Sequence, residues 1–371
     1  TAYEIPKRDW SSDVCSSDLT SGNSCWSIIS GGYQNFIGFT TLSGVISGGY
    51  RNTISSYQND ATIGGGECNT ISSYGIANTI SGGDFNTISS YSFQNTISGG
   101  GCNTISSYSN YGFIGGGYFN CIIAPSCYGA LTGGYANKVR GSFGFVGGGY
   151  NNNSQGCKSS IVGGDTNFIG NSNYSIIGGG CNNQIGDSNE YNFIGGGCTN
   201  TITGNTCGNS IVGGCTNNIG NATTKSAIVG GECNTLSNYT AYSTISGGYK
   251  NTLSNYATFS FIGSGYINSI SNNYAGILTG FSNTVSNRYG TIINGFNNTT
   301  QSSYFATIIG GKNNTASAYY SLIGNGKNNC IDTTAKYSTI SNGYCNTIST
   351  GSGYSTILNG KNNCITDSSV K

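Results

Sequence analysis

From Ile29 to Asn363 one short pattern recurs without interruption: an aliphatic residue, a Gly three residues later, an Asn three beyond that, and usually a second aliphatic two further on. Asn52, Asn69, Asn86 and Asn103 show the spacing in one stretch, and Asn200, Asn217, Asn234 and Asn251 in another. Across all 21 copies the interval is 15, 16 or 17 residues. The residue three before the Asn is always Gly, as at Gly49, Gly66, Gly83, Gly100, Gly197, Gly214, Gly231 and Gly248. A period this short and strict means a stack of one supersecondary unit, so the repeat decides the architecture before local propensity does.

Within a copy the apolar period is two. In residues 61–73 alternation turns Ile63 inward before the Gly turn and Ile71 inward after it, with polar neighbours outward. Abundant Gly and β-branched residues oppose a helix at this length. The expected fold is therefore all-β: a parallel β-solenoid, or β-roll, of about 21 coils with two short strands each. The Gly supplies a chain reversal through positive φ. The residue before it is usually Gly too, and its replacements Ser264, Thr279, Asn294, Asn325, Asn342 and Asn359 are read as residues suited to the same left-handed turn. Stacked one strand spacing apart, the Asn side chains are expected to bond to one another and to turn backbone in a structural ladder.

Residues 1–19 lack the repeat yet hold 6 of the 27 charged residues. The run from Asp9 to Leu19 resembles a translated sequencing adapter, so this leader is read as non-native and outside the fold. Residues 20–371 are expected to form one solenoid domain, a fragment without its native ends.

Past the leader, twelve basic and nine acidic residues remain, and the densest basic pair is Lys138 with Arg140. Nucleic acid is an unsuitable partner, because counterion release needs clustered positive charge. No run approaches 18 consecutive apolar residues, so no membrane span is expected in the fragment. Gly-rich runs such as 64–66 lack the Gly-Lys-Ser/Thr ending of a phosphate loop. With no His, neither a zinc site nor a general base near neutral pH is expected. The acidic residues Glu67, Asp84, Asp165 and Glu232 share one turn site in mostly distant coils and are not expected to pair. No catalytic, metal or cofactor-binding residue is named, and the chain is not expected to be an enzyme.

Fourteen Cys follow the leader. Cys181, Cys198 and Cys215 occupy one site in consecutive coils, where stacking permits a disulfide but small slot-filling side chains are the simpler reading. Tyr57, Tyr74, Tyr91 and Tyr108 align, as do Tyr239 and Tyr256. Phe113, Phe145, Phe193 and Phe261 share an outward site, and exposed aromatics at one stacking position point to a subunit interface. Rows of Thr and Ser outside the second strand, from Thr53 with Ser55 to Thr252 with Ser254, form a hydroxyl grid.

The frame Ser-x-Ile-x-Gly-Gly, seen in 175–180 and 243–248, resembles the head repeats of trimeric autotransporter adhesins and related repeats of phage and large-virus fibres. The resemblance runs from about Cys25 to Ile365. It implies a left-handed β-roll, a homotrimer, and a place at a cell surface or on a virion, attaching to host glycans or other surface polymers. The resulting expectation is a structural or adhesive repeat rod of a fibre. The hydroxyl rows, which resemble those of β-solenoid antifreeze proteins, leave an ice-binding surface as the alternative, and a polysaccharide-active β-helix enzyme as the third.

Overall fold

The computed structural model describes residues 19–20 and 24–366. All regular structure among them is two-residue β-strands, with no helix. The chain divides into two compact units that part between Tyr174 and Ser175. Both are stacks of the same coil.

One coil of the first unit shows the plan. Strand Thr62–Ile63 lies on the first face, the chain turns through Gly66, and strand Thr70–Ile71 forms the second face. An exit segment, 72–78, then leads to Thr79–Ile80 on the first face of the next coil. First-face strands pair in parallel and in register, Ile63 beside Ile80 and Ile80 beside Ile97. Second-face strands do the same, Ile71 beside Ile88 and Ile88 beside Ile105. The second unit repeats the arrangement, with Ile245 beside Ile262 and Leu236 beside Leu253. The parallel solenoid and its two strands per coil are as expected. Isolated bridges add a ladder at the turn (Glu67 beside Asp84) and, in some of the longer coils, another in the exit segment (Ile76 beside Phe93).

The alternation holds as well: Ile63, Ile71, Ile80 and Ile88 are fully buried, while the Thr before each is half-buried. Each buried β-branched side chain removes about 1.5–3 kcal/mol worth of apolar surface from water. Coil length varies in one place only. Eight residues separate the inward side chains across the Gly turn, from Ile63 to Ile71 and equally from Ile292 to Thr300. Across the exit segment the interval is nine from Ile71 to Ile80 but seven from Val139 to Val146 and from Val285 to Ile292. In part of these short coils the two faces draw closer, and the second-face inward residues there are Val139, Ser154, Thr300 and Ala316.

The non-native reading of the leader falls largely outside the described residues. Its last residue, Leu19, forms a strand with Thr20 that pairs with Phe36–Ile37.

Candidate functional site

The Asn of each coil sits at the corner before the second face and is buried in every coil but the last described, where Asn363 is exposed. Its Oδ1 accepts the backbone N–H of the next Asn: Asn35 from Asn52 at 2.9 Å, Asn52 from Asn69 at 3.0 Å, Asn200 from Asn217 at 3.0 Å and Asn234 from Asn251 at 3.0 Å. Its Nδ2 donates to two carbonyls, as Asn52 does to Gly48 at 3.0 Å and Gly66 at 2.9 Å. The ladder is thus mainly amide to backbone. Direct amide-to-amide bonds join some rungs, Asn103 to Asn86 at 3.0 Å and Asn251 to Asn234 at 3.2 Å. Every group of a buried corner is satisfied in this way, where an orphan costs about 1–3 kcal/mol.

The invariant Gly has a second reason beyond its φ. Gly66 lies at φ 89°, and a Cβ there would stand 2.0 Å from the carbonyl oxygen of Gly83 in the next coil. Stacking itself forbids a side chain. The preceding position differs from expectation: none of Ser264, Thr279, Asn294, Asn325, Asn342 and Asn359 has positive φ. Asn is used there because its Oδ1 accepts the next N–H, from Gly326 to Asn325 and from Gly360 to Asn359, both at 2.8 Å. The left-handed residue is instead the one just before the ladder Asn, such as Cys68 at φ 54° or Cys233 at 57°. Its N–H reaches back to the previous coil, Cys68 to the Tyr50 carbonyl at 2.8 Å, which holds the conformation.

A second buried polar ladder precedes the first face. Asn192 Oδ1 accepts from Asn209, Asn209 from Ser226, Ser226 Oγ from Ser243, and Ser243 from Ser260, at 2.8–3.1 Å. Because Asn, Ser, Gly and Ala alternate at this site, no single letter marks it in the sequence.

Outside, the aligned tyrosines stack: Tyr57, Tyr74, Tyr91 and Tyr108 have centroids 4.8–5.1 Å apart. A longer column occupies the second unit. Tyr242, Phe259, Tyr274, Tyr289, Phe305, Tyr320, Tyr337 and Tyr354 stack continuously at 4.7–5.2 Å. Each stands two residues before a first-face strand, an alignment that counting from the Asn hides because the exit segment changes length between. The Phe residues at the outward first-face site do not form such a column. Phe113 is flanked by Thr96 and Ala130, and Phe261 by Thr244 and Gly276.

Hydroxyl columns are present on the second face, Thr53, Thr70, Thr87 and Thr104 in one unit. In the other, Thr235, Thr252, Ser269, Thr284, Thr299 and Thr315 run through six coils. Cys181, Cys198 and Cys215 are in register, and Cys198 and Cys215 each hold Sγ 3.3 Å from the following Thr hydroxyl. Cys330 is pushed up to about 11, first by burial and then by the Asp332 carboxylate 3.5 Å away. Of the four acidic residues at the turn site, Glu67 and Asp84 lie in adjacent coils and are neighbours in the backbone ladder on an exposed corner. Among the described residues no group of three His, Cys, Asp or Glu converges on a metal position, and no helix is long and apolar enough to cross a membrane.

Two open recesses lie over the short coils. In the second unit Asn272, Ser286, Asn287, Arg288, Ser302, Ser303 and Tyr304 line a recess of about 280 Å³. The Arg288 guanidinium lies over the rings of Tyr274 and Tyr289, at 5.1 and 5.0 Å. In the first unit Arg140, Gln155 and Asn171 line a recess of about 240 Å³ over the equivalent exits. A shortened exit segment opens the surface that a longer one fills.

Compared with known proteins, the chain matches no family model and no curated sequence.

Proposed function

We propose that this chain is a structural and adhesive repeat of a fibre at a cell surface or on a virion, assembled as a homotrimer and attaching to surface polymers rather than performing catalysis. One contrast carries the reading: the buried Asn ladder is the same in coil after coil, while exit segments and outer columns vary freely. Such a scaffold holds variable surfaces at a fixed spacing, which suits many weak contacts acting together. Exposed aromatic columns support assembly, since contiguous apolar surface is normally covered by a partner. Fluorescently labelled protein is expected to coat cells or isolated surface polysaccharide, with retention that falls steeply when single coils are tested as monovalent fragments. Retention no better than that of an unrelated β-solenoid removes the adhesive part of the reading.

A second reading rests on the six-coil hydroxyl column from Thr235 to Thr315. It makes the second face an ice-binding plane. Thermal hysteresis at millimolar protein supports that reading, and freezing at the colligative point ends it.

A further inference from the structure

Six buried side-chain nitrogen or oxygen atoms lack a hydrogen-bond partner among the described residues, and four of them are Asn287 Nδ2 and Oδ1, Arg288 Nε and Thr300 Oγ1. A fifth, Asn153 Oδ1, belongs to the short coils of the first unit. The sixth, Ser109 Oγ, lies in a long coil of the first unit. Four of the six thus fall in neighbouring coils of the second unit, where Asn287 and Arg288 belong to residues lining the larger recess, and buried polar groups left open call for a partner.

We infer that the two short-coil recesses are binding sites for a carboxylate-bearing sugar, such as a uronic acid unit of an acidic polysaccharide. The inference gives the attachment reading its ligand class and rests on that reading for its biological sense. The chemistry follows from what the larger recess offers. Arg288 lines it, its Nε lacks a partner, and its guanidinium supplies positive charge, which suits a carboxylate. Ser302, Ser303 and Tyr304 add hydroxyls able to act either way. The rings of Tyr274 and Tyr289 hold the guanidinium and limit the freedom it loses on binding. Of the three Arg residues after the leader, two line these recesses, Arg140 and Arg288. The aromatic columns are less suited to sugars, because within a column the ring faces are covered by the neighbouring rings.

Titration of the full chain with glucuronate, followed by ligand-observed NMR and calorimetry, is expected to give millimolar binding at two sites per chain. Glucose, which lacks the carboxylate, and acetate, which lacks the hydroxyls, should each bind about tenfold more weakly or worse. Arg288→Gln should leave one site and Arg140→Gln with Arg288→Gln none, with hydrogen exchange of the coils unchanged. Ser303→Ala, a milder change, should weaken the larger site alone. Equal binding of glucose and glucuronate, or unaltered stoichiometry in the double variant, overturns the inference. So does a crystal grown in glucuronate that shows only water in the recess. Retention of the double variant on cells separates the two ideas: glucuronate binding without any cell attachment sinks the attachment reading and keeps the recess. Attachment without glucuronate binding does the reverse.

Discussion

Gly231 and its neighbour Gly230 look alike in the sequence and differ completely in the stack. A Cβ at Gly231, φ 87°, would stand 2.2 Å from the Gly248 carbonyl oxygen and 2.6 Å from Asn234 Nδ2. At Gly230 it would meet nothing within 4 Å. Gly231→Ala is expected to cost about 3 kcal/mol or more, through backbone clash as well as strain, and Gly230→Ala to stay within about 0.5 kcal/mol. Asn217→Asp tests the same corner from the other side. It keeps the acceptor that Asn234 N–H uses at 3.0 Å, but sets a buried carboxylate against the carbonyls of Gly213 and Gly231, 3.1 and 3.0 Å from the present Nδ2. About 3–5 kcal/mol should be lost, read as a shift of the urea midpoint, and Asp no worse than Ala would refute the donor role. At Cys330 the expectation concerns reactivity. With its pKa raised to about 11, the thiolate fraction at pH 8 is roughly a hundredfold below that of a thiol at the ordinary 9.0. Alkylation should rise about tenfold for each pH step up to that value, and Asp332→Asn should speed it only in part, because burial is the larger cause. Mass spectrometry of labelled peptides checks both statements.

At the scale of the coil, the Gly turn and the two strands were legible because they are written in invariant letters at invariant spacing. The exit segment was not. Its interior positions accept any small polar side chain that reaches a carbonyl of the next coil, as Thr41 reaches Ser55 at 3.2 Å and Thr223 reaches Ser237 at 3.1 Å. Its length shifts by one or two residues, so the eight-ring column and the recesses fall out of phase with the Asn. The column gives this element a measurable role. Tyr289 stacks on Tyr274 at 5.1 Å and on Phe305 at 4.7 Å, whereas Tyr354 has a stacked partner on one side, Tyr337 at 5.0 Å. With stacked pairs worth about 0.5–1.5 kcal/mol, Tyr289→Ala should destabilise its exit segment by about 1–3 kcal/mol and Tyr354→Ala by about half that. Hydrogen exchange at the neighbouring amides, Tyr289 N–H and Phe305 N–H among them, reports the difference, and equal protection in both variants shows that the rings do not brace the stack.

At the scale of the whole molecule, stability in such a stack is a sum of coil and nearest-neighbour terms. A coil contributes two inward aliphatics at most, with Ser154 and Thr300 taking one place in two coils, but orders fifteen or more residues, so the ladders that satisfy the corners serve cohesion and not only specificity. What they leave unsettled is the outside. Eight aromatic side chains in register form a longer contiguous apolar strip than isolated exposed residues do, and strips of that kind are usually buried by association. If the strip is a subunit contact, as the proposed trimer requires, light scattering should give three chain masses, independent of dilution through the micromolar range. The paired change Phe305→Ser with Tyr320→Ser lies at the centre of the strip, where both rings are exposed. It should yield one chain mass while the buried ladders keep their exchange protection, because neither side chain enters the coil. A wild-type chain that scatters as a monomer at every concentration leaves the rings a role within one stack only. A trimer that survives the double change places the contact on another column, of which Tyr249, Tyr266, Phe281 and Phe296, stacked at 4.9–5.0 Å along the turn corner, are the next to test.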